Sequence, residues 1–242
     1  MIQQITTSGI VSEDFCYHIN PIIYSQTKTF SAYVSNIDKR EMLIYVQPEC
    51  HLSWMQELTE LLEYIYLNNR VHSRFIIHSS SGYYSHSQSE DLLVKHPCVG
   101  LACVSKYDEV YHRTLIRGDQ SSKYVVQYVD IGLTMEIEKS EKQFKHLLNC
   151  FAEYYCMTIP CRLADIEFKL ENSQMPLETY QALKSAFGSG GPFYVIPLYQ
   201  TQNVFNVKIY DYYQQCLNTL LVEANLAVNT LNMFIHDAFL YL

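Results

Sequence analysis

The chain has 242 residues, 48% of them hydrophobic, which is enough apolar sequence for one large or two small buried cores. Its formal net charge is −8 at pH 7. Nonspecific binding to nucleic acid needs clustered lysine and arginine to neutralise phosphates, so direct nucleic-acid binding is not expected and a basic partner is favoured.

Two β-rich runs near the start of the chain predict a hairpin. The first is Lys28 to Asn36 (KTFSAYVSN) and the second is Glu41 to Gln47 (EMLIYVQ). The residues between them, Ile37 to Arg40, are mostly polar and suit a turn. These runs are therefore expected to pair as antiparallel strands.

A helix is predicted next, over about residues 53–69. Ser53 is a plausible N-cap. Apolar side chains recur near one helical face, with glutamates elsewhere, at Trp54, Leu58, Leu61, Leu62, Ile65 and Tyr66. A polar loop from Ser79 to Glu90 follows, and with Gly188 to Pro192 it is a candidate domain boundary. Both segments are short, so we expect one compact unit in which a split domain hosts an insertion.

Four short strands are predicted between residues 99 and 137. They are separated by the polar tip Asp108-Glu109, by a turn at Gly118-Asp119 with two serines, and by a reversal with positive φ at Gly132. The third run alternates with Tyr124, Val126 and Tyr128 on one face, which is typical of a half-buried strand. Four antiparallel strands in under forty residues predict a small β-barrel; their ranges are Val99 to Tyr107, Tyr111 to Arg117, Lys123 to Val129 and Thr134 to Ile137.

The order of residues in this segment resembles the Tudor domain. The matching positions are Cys103, Tyr107, Tyr111 to Thr114 (YHRT) and Val126 to Leu133 (VQYVDIGL). In that family, four aromatic residues and an asparagine form a cage around a methylated arginine or lysine. The resemblance carries these five positions onto Tyr107, His112, Tyr128, Ile131 and Leu133.

This cage departs from the family pattern at two positions. Ile131 keeps an apolar wall but lacks an aromatic quadrupole, and Leu133 has no amide for a guanidinium nitrogen. His112 can stack on a cation, but its own positive charge at low pH would repel that cation. We therefore predict little or no preference for dimethylarginine, while the same face still accepts unmodified arginine.

The flanking sequence resembles the extended form of the family. Leu147 to Leu170 reads as a helix, a proline and a strand, and Val207 to Asp211 followed by Cys216 to Ala227 reads as a strand, a turn and a helix. The resemblance implies a mostly β fold with helices (α+β), in which a Tudor barrel is inserted into a split staphylococcal-nuclease-like domain of OB type. The expected divisions are residues 1–95 with the linking helix, the barrel at 96–140, and residues 141–242.

Three acidic residues lie near the predicted cage and could favour a guanidinium. Asp108 and Glu109 could contact a ligand or form a solvated loop tip. Asp130 could face the ligand or form a structural pair with Arg113, as the family pattern suggests. Both readings stay open from the sequence.

Cysteines and histidines do not indicate a metal or catalytic site. No cysteine pair has disulfide-framework or zinc-finger spacing, and no leading apolar signal segment is found, so we expect buried, reduced thiols in a reducing cytosol. No histidine falls in a hydrolase motif, and the nuclease-like half lacks a grouping of acidic ligands and arginines. No catalytic residue, metal or cofactor is predicted. The eight cysteines are Cys16, Cys50, Cys98, Cys103, Cys150, Cys156, Cys161 and Cys216.

The C-terminal run Leu231 to Leu242 is apolar but too short to cross a bilayer, so a packed amphipathic helix is expected and no membrane association. The family resemblance implies a non-enzymatic scaffold that binds arginine-rich N-terminal tails of PIWI-clade Argonautes in the piRNA gene-silencing pathway. Such scaffolds occupy cytoplasmic, perinuclear germline granules (nuage). The tail would lie in the cleft between barrel and nuclease-like half. Two alternatives are self-association through a patch containing Ile131 and Leu133, and RNA binding by the OB fold.

Overall fold

The computed structural model describes Val11, Phe15, Tyr17 and residues 29–67, 92–140, 144–188 and 190–230. The chain divides into two compact units. One comprises the described residues of Met1–Ile19 and Leu52–Met157, and the other those of Asn20–His51 and Thr158–Leu242. The second unit is thus split by the insertion of the first, which is the organisation expected of the extended fold.

The split unit is built on a closed five-stranded barrel. Its strands are β1 (Phe30–Asp38), β2 (Leu43–Pro48), β8 (Ile159–Leu163), β10 (Phe193–Thr201) and β11 (Val204–Tyr210), in the spatial order β1-β10-β11-β8-β2. All pairs are antiparallel except β11 with β8, which is parallel. The predicted hairpin is β1 with β2, and its tip is closed by Asp38, whose Oδ1 accepts bonds from the Arg40 and Glu41 amides.

Two further helices and a two-stranded sheet complete the described part of this unit. Their ranges are β9 (Ile166–Phe168), α3 (Leu177–Phe187), α4 (Leu217–Glu223) and β12 (Ala227–Asn229). Asn218 connects α4 to the barrel, because its Nδ2 donates to the carbonyls of Ala164 and Val207 while its Oδ1 accepts from the Ile209 amide. The predicted strand, turn and helix near the C-terminus are confirmed as β11 and α4.

The inserted unit contains a five-stranded antiparallel sheet in the order β6-β5-β4-β3-β7. Four of these strands match the predicted ones to within a few residues, and the two-residue β7 was not predicted. The unit also contains α1 and the short helix α2. The ranges are α1 (Leu52–Leu67), β3 (Ala102–Tyr107), β4 (Val110–Asp119), β5 (Lys123–Tyr128), β6 (Leu133–Glu138), β7 (Lys145–His146) and α2 (Asn149–Ala152).

The two faces of this sheet belong to two different cores. One face supplies an internal core that contains Cys103, Ile116, Val126, Tyr128 and Ile137. The opposite face, with Ala102, Val104 and Tyr111, packs against α1 and α2 through a core that also contains Leu58, Leu62, Tyr66 and Phe151. Tyr111 therefore lies opposite the predicted cage, as its alternation in β4 indicates.

The linking helix differs in detail from the prediction. It starts at Leu52, directly after a 3-10 turn over Glu49–His51, so Ser53 lies inside its first turn and is not the N-cap. Trp54 is 45% exposed and does not join the buried face. The helical periodicity still identified the buried face correctly at Leu58, Leu62, Ile65 and Tyr66.

The unit boundaries also differ from those expected. The sequence placed the linking helix and residues 141–157 with the nuclease-like half, but both group with the five-stranded sheet of the inserted unit. The reason is the shared core described above, in which α1 and Phe151 bury the outer face of that sheet. The predicted loop Ser79 to Glu90 and the predicted helix Leu231 to Leu242 lie outside the described residues.

The cysteines bear out the prediction of burial only in part. Cys103, Cys150, Cys156 and Cys161 are buried, and burial raises the pKa of each thiol. Cys50 and Cys98 are exposed, because one lies in the 3-10 turn before α1 and the other in the loop before β3, outside the cores. All the cysteines that the structure describes are free thiols.

Candidate functional site

Strand register places the predicted aromatic residues on one face of the five-stranded sheet of the inserted unit. Tyr107 lies two residues from Ser105, which pairs with His112 across β3 and β4. Thr114, two residues further along β4, pairs with Tyr128 of β5. Paired residues in a sheet project their side chains to the same face, as do residues two apart in one strand. Tyr107, His112 and Tyr128 therefore converge because of the pairing.

The three rings form a contact triangle. Their centroids are 5.3 Å apart for Tyr107 and Tyr128, 5.8 Å for His112 and Tyr128, and 6.3 Å for Tyr107 and His112. The interplanar angles of these pairs are 45°, 79° and 55°. A guanidinium sandwiched between parallel rings needs them about 7 Å apart, twice a contact distance of about 3.5 Å. The triangle thus offers stacking surfaces to a guest, and no slot between two rings.

The rings differ in their access to solvent. Tyr107 is 38% exposed, His112 is half-buried, and Tyr128 is only 1% exposed. The Tyr128 hydroxyl donates to the backbone carbonyl of Lys106 at 2.8 Å, which fixes this ring beneath the others. Tyr128 is therefore the floor of the triangle, and Tyr107 and His112 are its outer surface. The Lys106 carbonyl, which holds the Tyr128 hydroxyl, was not among the predicted site residues. The only signal for it in the sequence is its place directly before Tyr107.

His112 is kept neutral by its surroundings. Burial lowers the pKa of its imidazole below the ordinary value, and the charges of Asp130 and Glu63 offset this only partly. At neutral pH the ring is uncharged and can stack on a cation without repelling it. This environment suits the cage position that the resemblance assigned to His112.

The turn between β5 and β6 carries the two departures from the family pattern. Gly132 has a φ of 71°, as predicted, and its amide donates to the Tyr128 carbonyl at 2.9 Å. Leu133 pairs with Tyr128 and so lies on the same face as the aromatic rings. Ile131 and Leu133 are half-buried and pack against the internal core. They give this side of the triangle an aliphatic wall without a hydrogen-bonding group.

Asp130 does not face a ligand, and its inclusion among the binding residues is corrected. It is 1% exposed, and its two carboxylate oxygens accept bonds from Arg113 Nε at 2.8 Å and Arg113 Nη2 at 2.5 Å. Its Oδ1 also accepts a bond from the Met157 amide at 3.1 Å. The structural pairing that the sequence left open is the one adopted, because both oxygens are already occupied by buried donors.

Arg113 binds more than its acidic partner. Its Nη1 donates to the carbonyls of Phe151 and Tyr154, and its Nη2 also donates to the carbonyl of Tyr155. With the two bonds to Asp130, all five guanidinium N–H groups are used. Burial opposes the charge of Arg113, but the adjacent carboxylate outweighs burial and raises its pKa. Sequence analysis offered the ion pair as one of two readings, from the family pattern, but carried no signal for these carbonyls.

Asp108 and Glu109 form a two-residue hairpin turn beside Tyr107. Both have positive φ, 49° and 63°, as in a type I′ turn, and both are exposed. Glu109 pairs with Lys106 at 3.6 Å, while the Asp108 carboxylate lies at the exposed tip. Of the two, Asp108 is the acid more available to a cationic guest.

Within the part of the chain that the structure describes, no group of histidine, cysteine, aspartate and glutamate side chains is arranged to hold a metal ion. In the same part, no helix combines the length and the hydropathy that crossing a bilayer requires.

The family model for the Tudor domain matches residues 25–165, more than half of the sequence. The chain belongs to the Tudor domain family. The match spans the sheet β6-β5-β4-β3-β7, here called the Tudor sheet, which belongs to the inserted unit, here called the Tudor unit. It also reaches into the flanking strands β1, β2 and β8 of the split barrel. No curated protein matches this Tudor-family chain.

Solved structures similar to this Tudor-family chain are extended Tudor domains. The human TDRD1 domain, solved with a symmetrically dimethylated peptide, has a TM-score of 0.70 and 16% identity, covering 92% of this chain and 100% of that one. A mouse TDRD1 domain, solved with a MILI peptide containing dimethylarginine, has a TM-score of 0.67 and 15% identity, covering 89% of this chain and 99% of that one. A variant of the Drosophila melanogaster Papi domain, solved with an unmethylated Piwi N-terminal peptide, has a TM-score of 0.64 and 13% identity, covering 84% of this chain and 100% of that one. The predicted extended Tudor fold is confirmed.

Proposed function

We propose that this chain is a non-enzymatic binding module whose Tudor unit holds an arginine of an extended, basic peptide against Tyr107 and His112. The observation that carries this proposal is the triangle of three rings on one sheet face, with an exposed tyrosine and a neutral histidine over a buried floor. A guanidinium stacks on such ring faces by cation–π attraction, which is worth about 0.5 to 1 kcal/mol per contact at exposed sites.

The proposed ligand is the arginine-rich N-terminal tail of a PIWI-clade Argonaute. Two comparisons support this choice, since the similar mouse and fly domains were solved with MILI and Piwi peptides. The net charge of −8 and the exposed Asp108 complement a basic tail, and opposite charges accelerate encounter more than they raise final affinity. As a part of this proposal, the chain acts in piRNA-dependent silencing in cytoplasmic germline granules. Imaging of the tagged wild-type protein and of its Tyr107→Ala variant tests whether recruitment to these granules depends on the arginine site.

The proposed site distinguishes poorly between methylated and unmethylated arginine. Methyl groups gain most when aromatic walls surround the guanidinium and exclude water, whereas this triangle contacts a guest from one side only. The aliphatic wall of Ile131 and Leu133 contributes neither an aromatic face nor an amide. An unmodified guanidinium keeps all five donors for water and for Asp108, so it is bound at least as well.

Fluorescence titration with matched peptides tests the proposal. A PIWI-type tail peptide is prepared with one arginine unmodified or symmetrically dimethylated, and with that arginine replaced by alanine as a control. We expect binding of the first two peptides within about threefold of each other and no binding of the third. Tyr107→Ala should weaken both by about fivefold. Tight binding of the dimethylated peptide alone contradicts the unselective site.

Exposed Tyr64 of α1 is the matched control for Tyr107. It is 48% exposed in the same unit but on a different element, so Tyr64→Ala should leave affinity unchanged. Sedimentation of the unliganded protein addresses the alternative of self-association. Peptide-independent dimers that disperse on Leu133→Asp would favour that alternative and count against a ligand site at this face.

A further inference from the structure

The edge strand β6 continues the face that carries the aromatic triangle. β6 is the last strand on one side of the Tudor sheet, and along its whole length it pairs with β5 without a bulge. In the described part of the chain, no strand pairs with its other edge. Every second residue of such a strand therefore presents its backbone N–H and C=O outward, where an extended chain can pair with them.

The composition of β6 protects this edge only by negative charge. Edge strands commonly carry charged side chains, especially lysine, or proline or a bulge, which discourage pairing, and β6 has no lysine, proline or bulge. β6 has the sequence LTMEIE, with Glu136 and Glu138 as its exposed residues. Both carboxylates approach the single ammonium of Lys123, at 3.2 Å and 3.6 Å, so one negative charge remains in excess. Among the described residues nothing pairs with this edge, and its charge selects the partner.

Charge decides between a second copy of this chain and a basic peptide. Two β6 edges paired in a register that sets Glu136 or Glu138 opposite a glutamate would oppose like charges, which is destabilising across a sheet, and each copy carries a net charge of −8. A strand carrying arginine or lysine would place positive charge beside Glu136 and Glu138 instead. The edge therefore fits an extended basic segment.

Register connects this edge to the aromatic triangle. Leu133, the first residue of β6, pairs with Tyr128, so their side chains share one face of the sheet. A residue added opposite Leu133 projects to that face, one strand spacing of about 4.8 Å from β6. A long arginine side chain at that place can reach across Leu133 toward the rings.

We infer that the basic tail binds as an antiparallel strand added to β6, with one arginine opposite Leu133 directed at the aromatic triangle. This inference rests on the proposed function, and antiparallel pairing is chosen because it is slightly more stable per residue. The strand alternation then sets a spacing rule. Residues three and five positions before that arginine lie opposite Glu136 and Glu138, and being an odd number of positions away they project to the other face, beside those carboxylates.

Backbone methylation of the peptide tests the added strand directly. The probe is a nine-residue alanine-based peptide with arginine at the seventh position and lysines at the fourth and second. Two versions carry N-methyl groups on alternate residues, in the two opposite phases. One phase removes hydrogen bonds to β6 and should weaken binding about tenfold or more, while the other should change it by less than about twofold.

Charge placement provides a second measurement. Moving the lysines to the fifth and third positions keeps the composition but places them on the wrong face, and should weaken binding about two- to fivefold. Glu136→Gln and Glu138→Gln should each reduce affinity for the first peptide by a similar factor. Glu57→Gln, which removes the same charge from an exposed position of α1, should have no effect.

The outcomes separate this inference from the proposed function. Binding that depends on Tyr107 but is equally sensitive to both methylation phases overturns the added strand and leaves the arginine site standing. If only one of the two N-methylation patterns weakens binding and Tyr107→Ala does not, the added strand is supported and the aromatic triangle takes no part in binding. If none of the arginine-containing peptides binds, both the added strand and the arginine site are overturned.

Discussion

The Arg113 guanidinium and the Asp130 carboxylate form a bidentate pair in which neither side chain is more than 2% exposed. Asp130 begins the turn that carries Ile131, Gly132 and Leu133. Arg113 also holds the carbonyls at the end of α2 and lies 5.3 Å from the ring of Tyr17. The turn beside the aromatic triangle is thus fixed by a buried charge pair in addition to its own backbone bonds to the Tyr128 carbonyl.

Asp130→Asn is expected to lower the free energy of unfolding by about 3 to 5 kcal/mol, because it leaves the Arg113 charge buried without its counter-charge. Denaturant unfolding followed by fluorescence measures this. Lys123→Gln, at an exposed ion pair on β5, is the control and should change stability little. A similar loss from both variants would mean that Asp130 contributes no more than a surface charge.

Acidification should weaken both folding and ligand binding through His112. Burial lowers its folded pKa, whereas the unfolded value is about 6.5. Below about pH 6.5 the unfolded chain binds more protons at this residue than the folded chain does. The contribution of His112 to the free energy of unfolding is therefore fully present above that pH and is lost as the pH falls toward the folded pKa. A protonated ring also repels a guanidinium, so affinity falls over the same range.

The control for this pH effect is His112→Phe, which keeps a ring but cannot gain a proton. Burial also lowers the pKa of His146, which acts on stability in the same direction and remains in the variant. The difference between wild type and variant therefore isolates His112. Unfolding curves and peptide titrations at pH 7.5 and 5.5 provide the data, and identical pH profiles for the two proteins would refute the role given to this residue.

Restoring the family's cage chemistry should create methyl selectivity. In the double variant Ile131→Phe with Leu133→Asn, a ring and an amide are added on the aliphatic side of the triangle. We expect the ratio of affinities for dimethylated over unmodified arginine peptide to rise about fivefold. Leu133→Ala, which removes volume without adding an amide, should leave the ratio unchanged. No change in the double variant would show that the missing groups do not determine selectivity.

Relaxing the Asp108-Glu109 turn should stabilise the Tudor unit. Both residues have positive φ, which costs an ordinary residue about 1 to 2 kcal/mol, and Asn-Gly is the favoured pair for this turn. Asp108→Asn with Glu109→Gly should raise the free energy of unfolding by about 1 kcal/mol, despite the loss of the exposed contact with Lys106. Glu109→Gln keeps the strained backbone and should bring no gain. A double variant no more stable than Glu109→Gln would argue against strain in the turn.

Local pattern was sufficient for most of the elements. The alternation around Tyr124, Val126 and Tyr128 and the turn residue Gly132 predicted the Tudor strands, since strand period and turn chemistry depend only on neighbouring residues. The turn predicted at Gly118-Asp119 was wrong, because both residues continue β4 past a register shift between Ile116 and Gly118. The start of α1 was predicted less well. Ser53 has the chemistry of a cap, but the preceding 3-10 turn over Glu49–His51 leads the chain directly into the helix at Leu52.

The amino-acid order by itself placed Tyr107, His112 and Tyr128 in three successive strands, because strand alternation and turn chemistry depend on neighbouring residues. Their assignment to one ligand-facing cage came from the resemblance to the family. Only the tertiary structure decided that Asp130 turns inward to Arg113, that Tyr128 is buried beneath the other two rings, and that α1 belongs with the Tudor sheet. These outcomes depend on which distant groups compete for the same space and the same hydrogen bonds. Phe151, Tyr154 and Tyr155 supply the carbonyls that hold Arg113, and no spacing within the Tudor motif encodes their approach.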